Sequence, residues 1–210
     1  MDLNRILVLS PHTDDGELGA GGTVARWIGE GKDIYYIIFS TCEASVPDTL
    51  LKNILEKEAY LSAEIMGIPE SKVIILNFEV RTFPEFRQKI LDTLIKLKDE
   101  IKPELVLTPS FNDTHQDHMT ISWEALRAFK KEASIWGYEH PWNNLSFKTD
   151  IFVKLEREHL KKKLDALKCY ESQRNKGYFN SKYIRSLALT RGAQVDIPYA
   201  EAFELVRLLV

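Results

Sequence analysis

Histidine and aspartate crowd into two short segments of this 210-residue chain. The first reads Ser10-Pro11-His12-Thr13-Asp14-Asp15-Gly16-Glu17-Leu18-Gly19-Ala20-Gly21-Gly22-Thr23. The second reads Thr108-Pro109-Ser110-Phe111-Asn112-Asp113-Thr114-His115-Gln116-Asp117-His118. Three of the five histidines lie in these segments. Imidazole and carboxylate ligands with an open position describe a catalytic zinc site, where the metal lowers the pKa of bound water to about 7. His12, Asp15 and His118 can supply three such ligands. Asp14 and His115 are then left as acid/base groups beside them. Hydrolysis by water needs that set: a base for the water proton, and a group that stabilises the oxyanion or protonates the leaving group. Cys42 and Cys169 are far apart and fit no CxxC spacing, so histidines and carboxylates must build any transition-metal site.

These residues can meet only if the fold brings the two segments together. Each follows a short apolar run, Arg5–Ser10 and Leu105–Thr108, that reads as a strand. Further strands are expected at Ile34–Ser40 and Lys72–Leu76. Helices are expected over Gly19–Gly29, Leu50–Met66, Phe83–Ile101 and Thr120–Lys130, where apolar residues recur every three or four positions. Four consecutive β-α units imply an α/β fold, a Rossmann-like, doubly wound and mostly parallel sheet with helices on both faces. In the strand order 3-2-1-4, extended by a later strand, the first and fourth strands are neighbours. Their carboxyl ends flank the point where strand order reverses, which is where such sheets bind ligands. After residue 130 the pattern weakens. Residues 134–150 read as an aromatic loop, Ile151–Lys154 as a strand, and Glu156–Tyr170, Lys182–Arg191 and Ala200–Val210 as helices. The expected organisation is a single domain over 1–210. In it, 1–130 forms the sheet core with both motifs, and 131–210 supplies substrate-side and C-terminal helical elements.

Composition narrows the function classes. With 28 basic and 31 acidic residues the net charge is −3, which argues against nucleic acid as a partner. No apolar run reaches membrane-spanning length and no signal-peptide pattern opens the chain, so a cytoplasmic location with two free thiols is expected. The glycines of the first segment match no GxGxxG dinucleotide turn and are read as allowing close helix–sheet packing. Lys161–Lys163 reads as a solvated helix face. His140 and His159 read as surface or structural residues. The alternative to a zinc hydrolase is a Rossmann-like nucleotide or sugar-nucleotide binder with Mg²⁺ at the Asp cluster. A phosphate-ester hydrolase is a third option. Two histidines and one carboxylate favour zinc over Mg²⁺, which prefers oxygen.

The first segment resembles the P-H-x-D-D-x-E-L-G-x-G-G-T signature of the PIG-L/LmbE-like family of zinc-dependent N-acetylglucosaminyl deacetylases. The match is carried by Pro11, His12, Asp14, Asp15, Glu17, Leu18, Gly19, Gly21, Gly22 and Thr23. The second resembles the family's H-x-D-H, through His115, Asp117 and His118. Tyr170-Glu171-Ser172-Gln173 and Tyr199-Ala200-Glu201-Ala202-Phe203 resemble its late Y-x-S-Q and A-E-A-F segments. The resemblance implies that His12, Asp15 and His118 hold Zn²⁺, with Fe²⁺ as the alternative metal. Asp14 would be the general base on the attacking water. His115 would stabilise the oxyanion or act as an acid, with Asp117 orienting its ring. The implied partner is a small-molecule or glycoconjugate N-acetyl sugar, hydrolysed to acetate and a free amine. Thr13 and Gln116 stand where proline is common, and Gly16 where an acidic residue is often found. These departures remove no implied ligand and leave the choice of acetylated sugar open. The aromatic loop offers a candidate patch for homo-oligomer formation.

Overall fold

A computed structural model describes residues 3–210 of the chain. The strands are β1 (Arg5–Ser10), β2 (Asp33–Ile38), β3 (Val73–Ile75), β4 (Leu105–Pro109), β5 (Ser134–Tyr138), β6 (Ile151–Leu155) and β7 (Tyr199–Arg207). The helices are α1 (Asp15–Gly29), α2 (Ile54–Met66), α3 (Arg87–Ile101), α4 (Gln116–Phe129), α5 (Arg157–Leu167) and α6 (Ser181–Ala193). The strands make one sheet in the order β3-β2-β1-β4-β5-β7-β6. The first five strands run parallel, and β7 pairs antiparallel with both β5 and β6.

The doubly wound, mostly parallel sheet and its 3-2-1-4 order are as the strand spacing predicts. Alternate side chains of one strand feed opposite layers. Ile6 and Val8 of β1 enter the core shared with α1, α2 and α5. Leu7 and Leu9 enter the core shared with α3 and α4. A strand buried on both faces reads as continuous apolar sequence, which is why β1 and β4 are legible.

The chain beyond residue 130 departs from expectation. Residues 134–138 are not loop but β5, an inner strand buried along its length. Its sequence, Ser-Ile-Trp-Gly-Tyr, has neither alternation nor a β-branched run to announce it. Ala200–Val210 was expected as helix, yet Tyr199–Arg207 is the longest strand. Its Ala, Glu and Leu residues favour helix locally. Pairing on both sides overrides that weak preference. The lysine run is not wholly solvated either. Lys163 is buried, with Nζ donating to the Leu18 carbonyl and to Glu201 Oε1, each at 2.7 Å.

α1 lies unusually close to the sheet. A Cβ added at Gly16 would fall 2.4 Å from Tyr36 Oη, and one at Gly19 would fall 2.3 Å from the Tyr138 ring. Real side-chain carbons do not approach so closely, so these two positions need glycine for packing. The helix also starts four residues earlier than Gly19, at Asp15, so the first His/Asp segment runs directly from the strand end into the first helical turn. Likewise α4 starts at Gln116, inside the second segment.

Candidate active site

β1 and β4 are hydrogen-bonded neighbours, so the segments that follow them meet at the carboxyl edge of the sheet. There His12 Nδ1, Asp15 Oδ2 and His118 Nε2 converge. Nδ1 of His12 is 3.0 Å from Asp15 Oδ2 and 3.2 Å from His118 Nε2, which is itself 3.2 Å from the same oxygen. Three ligands about 2.0–2.1 Å from a tetrahedral zinc are separated by roughly 3.3 Å, so the predicted triad fits a single metal ion.

The opposite ends of both rings are held by carboxylates. Asp117 Oδ2 lies 3.0 Å from His12 Nε2 and accepts the Arg81 backbone N–H at 2.6 Å. Asp113 Oδ2 lies 2.7 Å from His118 Nδ1, while its other oxygen accepts the His115 backbone N–H at 2.8 Å. A carboxylate behind a ligating imidazole fixes ring orientation and raises ligand basicity. Asp117 therefore supports His12, not the His115 ring that the resemblance pairs it with. Only its backbone N–H reaches His115, donating to Nδ1 at 3.2 Å.

The electrostatics draw in positive charge. Burial works against protonation of His12, yet Asp15 and Asp117 hold its pKa up at about 10. Burial likewise opposes protonation of His118, and Asp15 and Asp113 hold it up at about 9. For Asp15 burial opposes ionisation, but His118 and His12 keep its carboxyl well below the usual range. A site that pulls protons onto two imidazoles is one that a divalent cation neutralises instead.

Asp14 and His115 complete the set. Asp14 is buried at the start of α1, and its side chain makes no capping hydrogen bond to the helix. Burial, then the neighbouring Asp15, raises its pKa, against the pull of Lys176 and His12. Burial, then the charges of His118 and His12, pushes His115 down to about 4. Its ring is thus neutral. With Nδ1 accepting from Asp117, the proton sits on Nε2. His12, Asp14 and His115 line a cleft of about 500 Å³ together with Trp142, Gln173 and Lys176.

The late segments prove to be supports. Tyr170 Oη sits 2.6 Å from the Thr13 carbonyl and 3.0 Å from Glu17 Oε1. Glu17 is buried, which raises its pKa to about 7, while hydrogen bonds from Ser62, Tyr36 and Tyr170 oppose the shift. This network ties α1 to β2, α2 and the Tyr170 turn beneath the cleft. Glu201 accepts the backbone N–H groups of Gly22 and Thr23 at 2.9 and 2.6 Å. Glu204 accepts from Ser110 Oγ at 2.9 Å and fixes the start of the second segment.

Two residues escaped the sequence reading. Asp113 stands in the second segment, and its spacing five before His118 was the only available hint. His140 was read as a spectator but is wholly buried, with donor atoms of Asp15 and His118 within 4.8 Å of its own. Nothing in the sequence near residue 140 signals this, because β5 delivers it. His159 is structural, its Nδ1 accepting the Glu156 N–H at 3.0 Å at the start of α5. The nucleotide alternative gains no support, since the first turn of α1 presents two carboxylates where a phosphate would sit.

Residues 7–129 match the family model for PIG-L, GlcNAc-PI de-N-acetylase. The uncharacterized deacetylase YaiS of Escherichia coli (strain K12) is 29% identical over 172 residues, covering 80% of this chain and 90% of its own length. Diacetylchitobiose deacetylase of Thermococcus kodakarensis (strain ATCC BAA-918 / JCM 12380 / KOD1) is 27% identical over 229 residues, covering 98% of this chain and 84% of its own. Among solved structures, the 4-carboxy-2-hydroxymuconate hydratase GalB of Pseudomonas putida KT2440 superposes with a TM-score of 0.79 at 22% identity, covering 99% of this chain and 98% of its own. That last likeness concerns the fold alone. Both His/Asp segments lie within the matched stretch, and the chain belongs to the PIG-L family.

Proposed function

We propose that this protein is a metal-dependent hydrolase that removes the acetyl group from an N-acetylated amino sugar, free or in a glycoconjugate. The observation that carries the reading is the convergence of His12 Nδ1, Asp15 Oδ2 and His118 Nε2 within 3.0–3.2 Å of one another on the floor of a cleft. Amide hydrolysis also needs a base and an oxyanion donor, and Asp14 and His115 stand beside the triad. The fold by itself serves hydration as well as hydrolysis. The family match and the two deacetylase relatives favour the amide bond.

His12, Asp15 and His118 would hold the metal, with Zn²⁺ the ion their chemistry suits best and Fe²⁺ the alternative. Bound there, a divalent metal supplies Lewis-acid polarisation of the amide carbonyl and acidification of water. Asp14 takes the proton of the attacking water, and its raised pKa brings it nearer to a useful base at neutral pH. The neutral His115 donates its Nε2–H to the carbonyl oxygen as negative charge gathers there. The proton held by Asp14 then passes to the departing amine. Asp117 and Asp113 keep the two ligand rings aimed throughout. Trp142, Gln173 and Lys176 form the substrate side of the cleft.

The test is acetate release from N-acetylglucosamine, N,N′-diacetylchitobiose and N-acetylglucosaminyl conjugates, with metal content measured on the same sample. Acetate released by metal-loaded protein and abolished by chelation is the expected result. Near-stoichiometric Mg²⁺ with no transition metal and no acetate from any substrate would overturn the reading.

A further inference from the structure

His140 lies two residues beyond β5 and is fully buried beneath the cleft. Its Nε2 is 3.1 Å from the main-chain carbonyl of Asp15. A carbonyl only accepts, so this nitrogen carries the proton. Nδ1 has no hydrogen-bond partner among the described residues. It faces Asp113 Oδ2 at 3.6 Å and Asp15 Oδ1 at 4.0 Å. The ring stacks on Trp142 with centroids 4.8 Å apart, and Trp142 stacks on Tyr178 at 4.3 Å. The chain at His140 is itself held. Its N–H donates to Asn144 Oδ1 at 2.7 Å, and its carbonyl accepts the N–H groups of Asn143 and Asn144.

We infer that His140 is a positioning residue of the metal centre, acting through Asp15 and Asp113 rather than touching the reacting atoms. The inference rests on the reading of His12, Asp15 and His118 as metal ligands. Two features of the geometry carry it. The Nε2–H bond pins the Asp15 main chain at the first residue of α1, and so fixes where that carboxylate points. The ring also packs against the carboxylate behind His118, with Nδ1 3.6 Å from Asp113 Oδ2, the oxygen that lies 2.7 Å from His118 Nδ1. A buried ring stacked beneath Trp142 also gives the cleft wall and the ligand set one common support.

The test compares metal-free parent protein with His140→Phe and His140→Gln. Each is titrated with Co²⁺ and with Zn²⁺ against a competing chromophoric chelator, and the metal-free proteins are unfolded in urea alongside. Phe keeps the ring and its stacking but loses the donor. Gln can extend an amide N–H to the Asp15 carbonyl. His140→Phe is expected to lower metal affinity by roughly 10–100-fold, the usual effect of losing an outer hydrogen bond. Its metal-free unfolding midpoint stays unchanged, and His140→Gln recovers most of the affinity. Parent-like affinity in His140→Phe overturns the inference. So does equal loss in both variants, or a matching fall in metal-free stability. A parent protein that takes up no transition metal removes the metal centre and this role together. That failure is distinguishable from a parent that binds metal beside a Phe variant that binds it equally.

Discussion

Asp14 and Asp15 are adjacent in sequence, and their surroundings shift their pKa values in opposite directions. His118 and His12 hold the Asp15 carboxyl low despite burial, so it remains an anion, the state its proposed ligand role needs. Burial and the Asp15 charge push Asp14 the other way. The split predicts separable phenotypes. Asp14→Asn keeps the triad and should retain near-parent metal content while kcat falls about 10²–10⁴-fold, the usual contribution of a general base. Metal analysis and turnover on one preparation check both halves, and loss of metal would contradict the division of roles. His115→Ala should also retain metal, with kcat lower by about 10²–10³-fold, the usual effect of removing one oxyanion donor. Unchanged turnover would take His115 out of the reaction. At this scale the sequence was informative where site residues share a segment. His12 and Asp15 are three apart, and His115 and His118 likewise. Asp113 was within sight but unassigned, and His140 was not legible at all. Its place depends on where β5 ends, which no local pattern encodes.

The elements that were easy to read are those whose sequence repeats their burial. β1 and β4 carry unbroken apolar runs at 6–9 and 105–107 and lie in mid-sheet. α3 shows Ile90, Leu94, Leu97 and Ile101 on its buried face. β7 shows the reverse, because its buried positions include Glu201 and Glu204, which local reading takes for solvent-facing residues. Glu201 is buried because Lys163 and two backbone N–H groups of α1 satisfy it. Lys163 is misplaced by its sequence for a simple reason: a charge looks exposed until its partner is known. Breaking the pair should therefore be severe. Lys163→Met leaves the Glu201 carboxylate buried without a cation, and an uncompensated buried charge typically lowers stability by about 3–5 kcal/mol. Urea unfolding of the metal-free protein measures this. Lys163→Met combined with Glu201→Leu should lose less than Lys163→Met alone, since the stranded charge is gone. A double variant less stable than the single one would mean that the carboxylate, not the pair, holds α1 against β7.

Over the whole molecule the two His/Asp segments serve as one structural joint. His12 and Asp15 belong to the junction of β1 and α1, and His118 to the first turn of α4. α1 packs on one face of the sheet and α4 on the other. A metal held by all three ligands therefore cross-links both helical layers at the carboxyl edge. Whatever binds only the folded chain stabilises it by mass action, by about 2.7 kcal/mol when the free ligand stands at 100 times its Kd. For a chain of this size, each kcal/mol moves the unfolding midpoint by about 2–4 °C. Chelating the metal should thus lower Tm by about 5–10 °C, and adding Zn²⁺ back at that excess should restore it. Asp14→Asn should show the same shift as the parent, because it leaves the ligands in place. His118→Ala should show almost none, because its joint between the layers is already open. Scanning calorimetry with and without chelator reads all three proteins. A parent Tm indifferent to chelation would mean that these side chains hold no metal under the conditions used. Equal shifts in parent and His118→Ala would place the metal elsewhere on the chain.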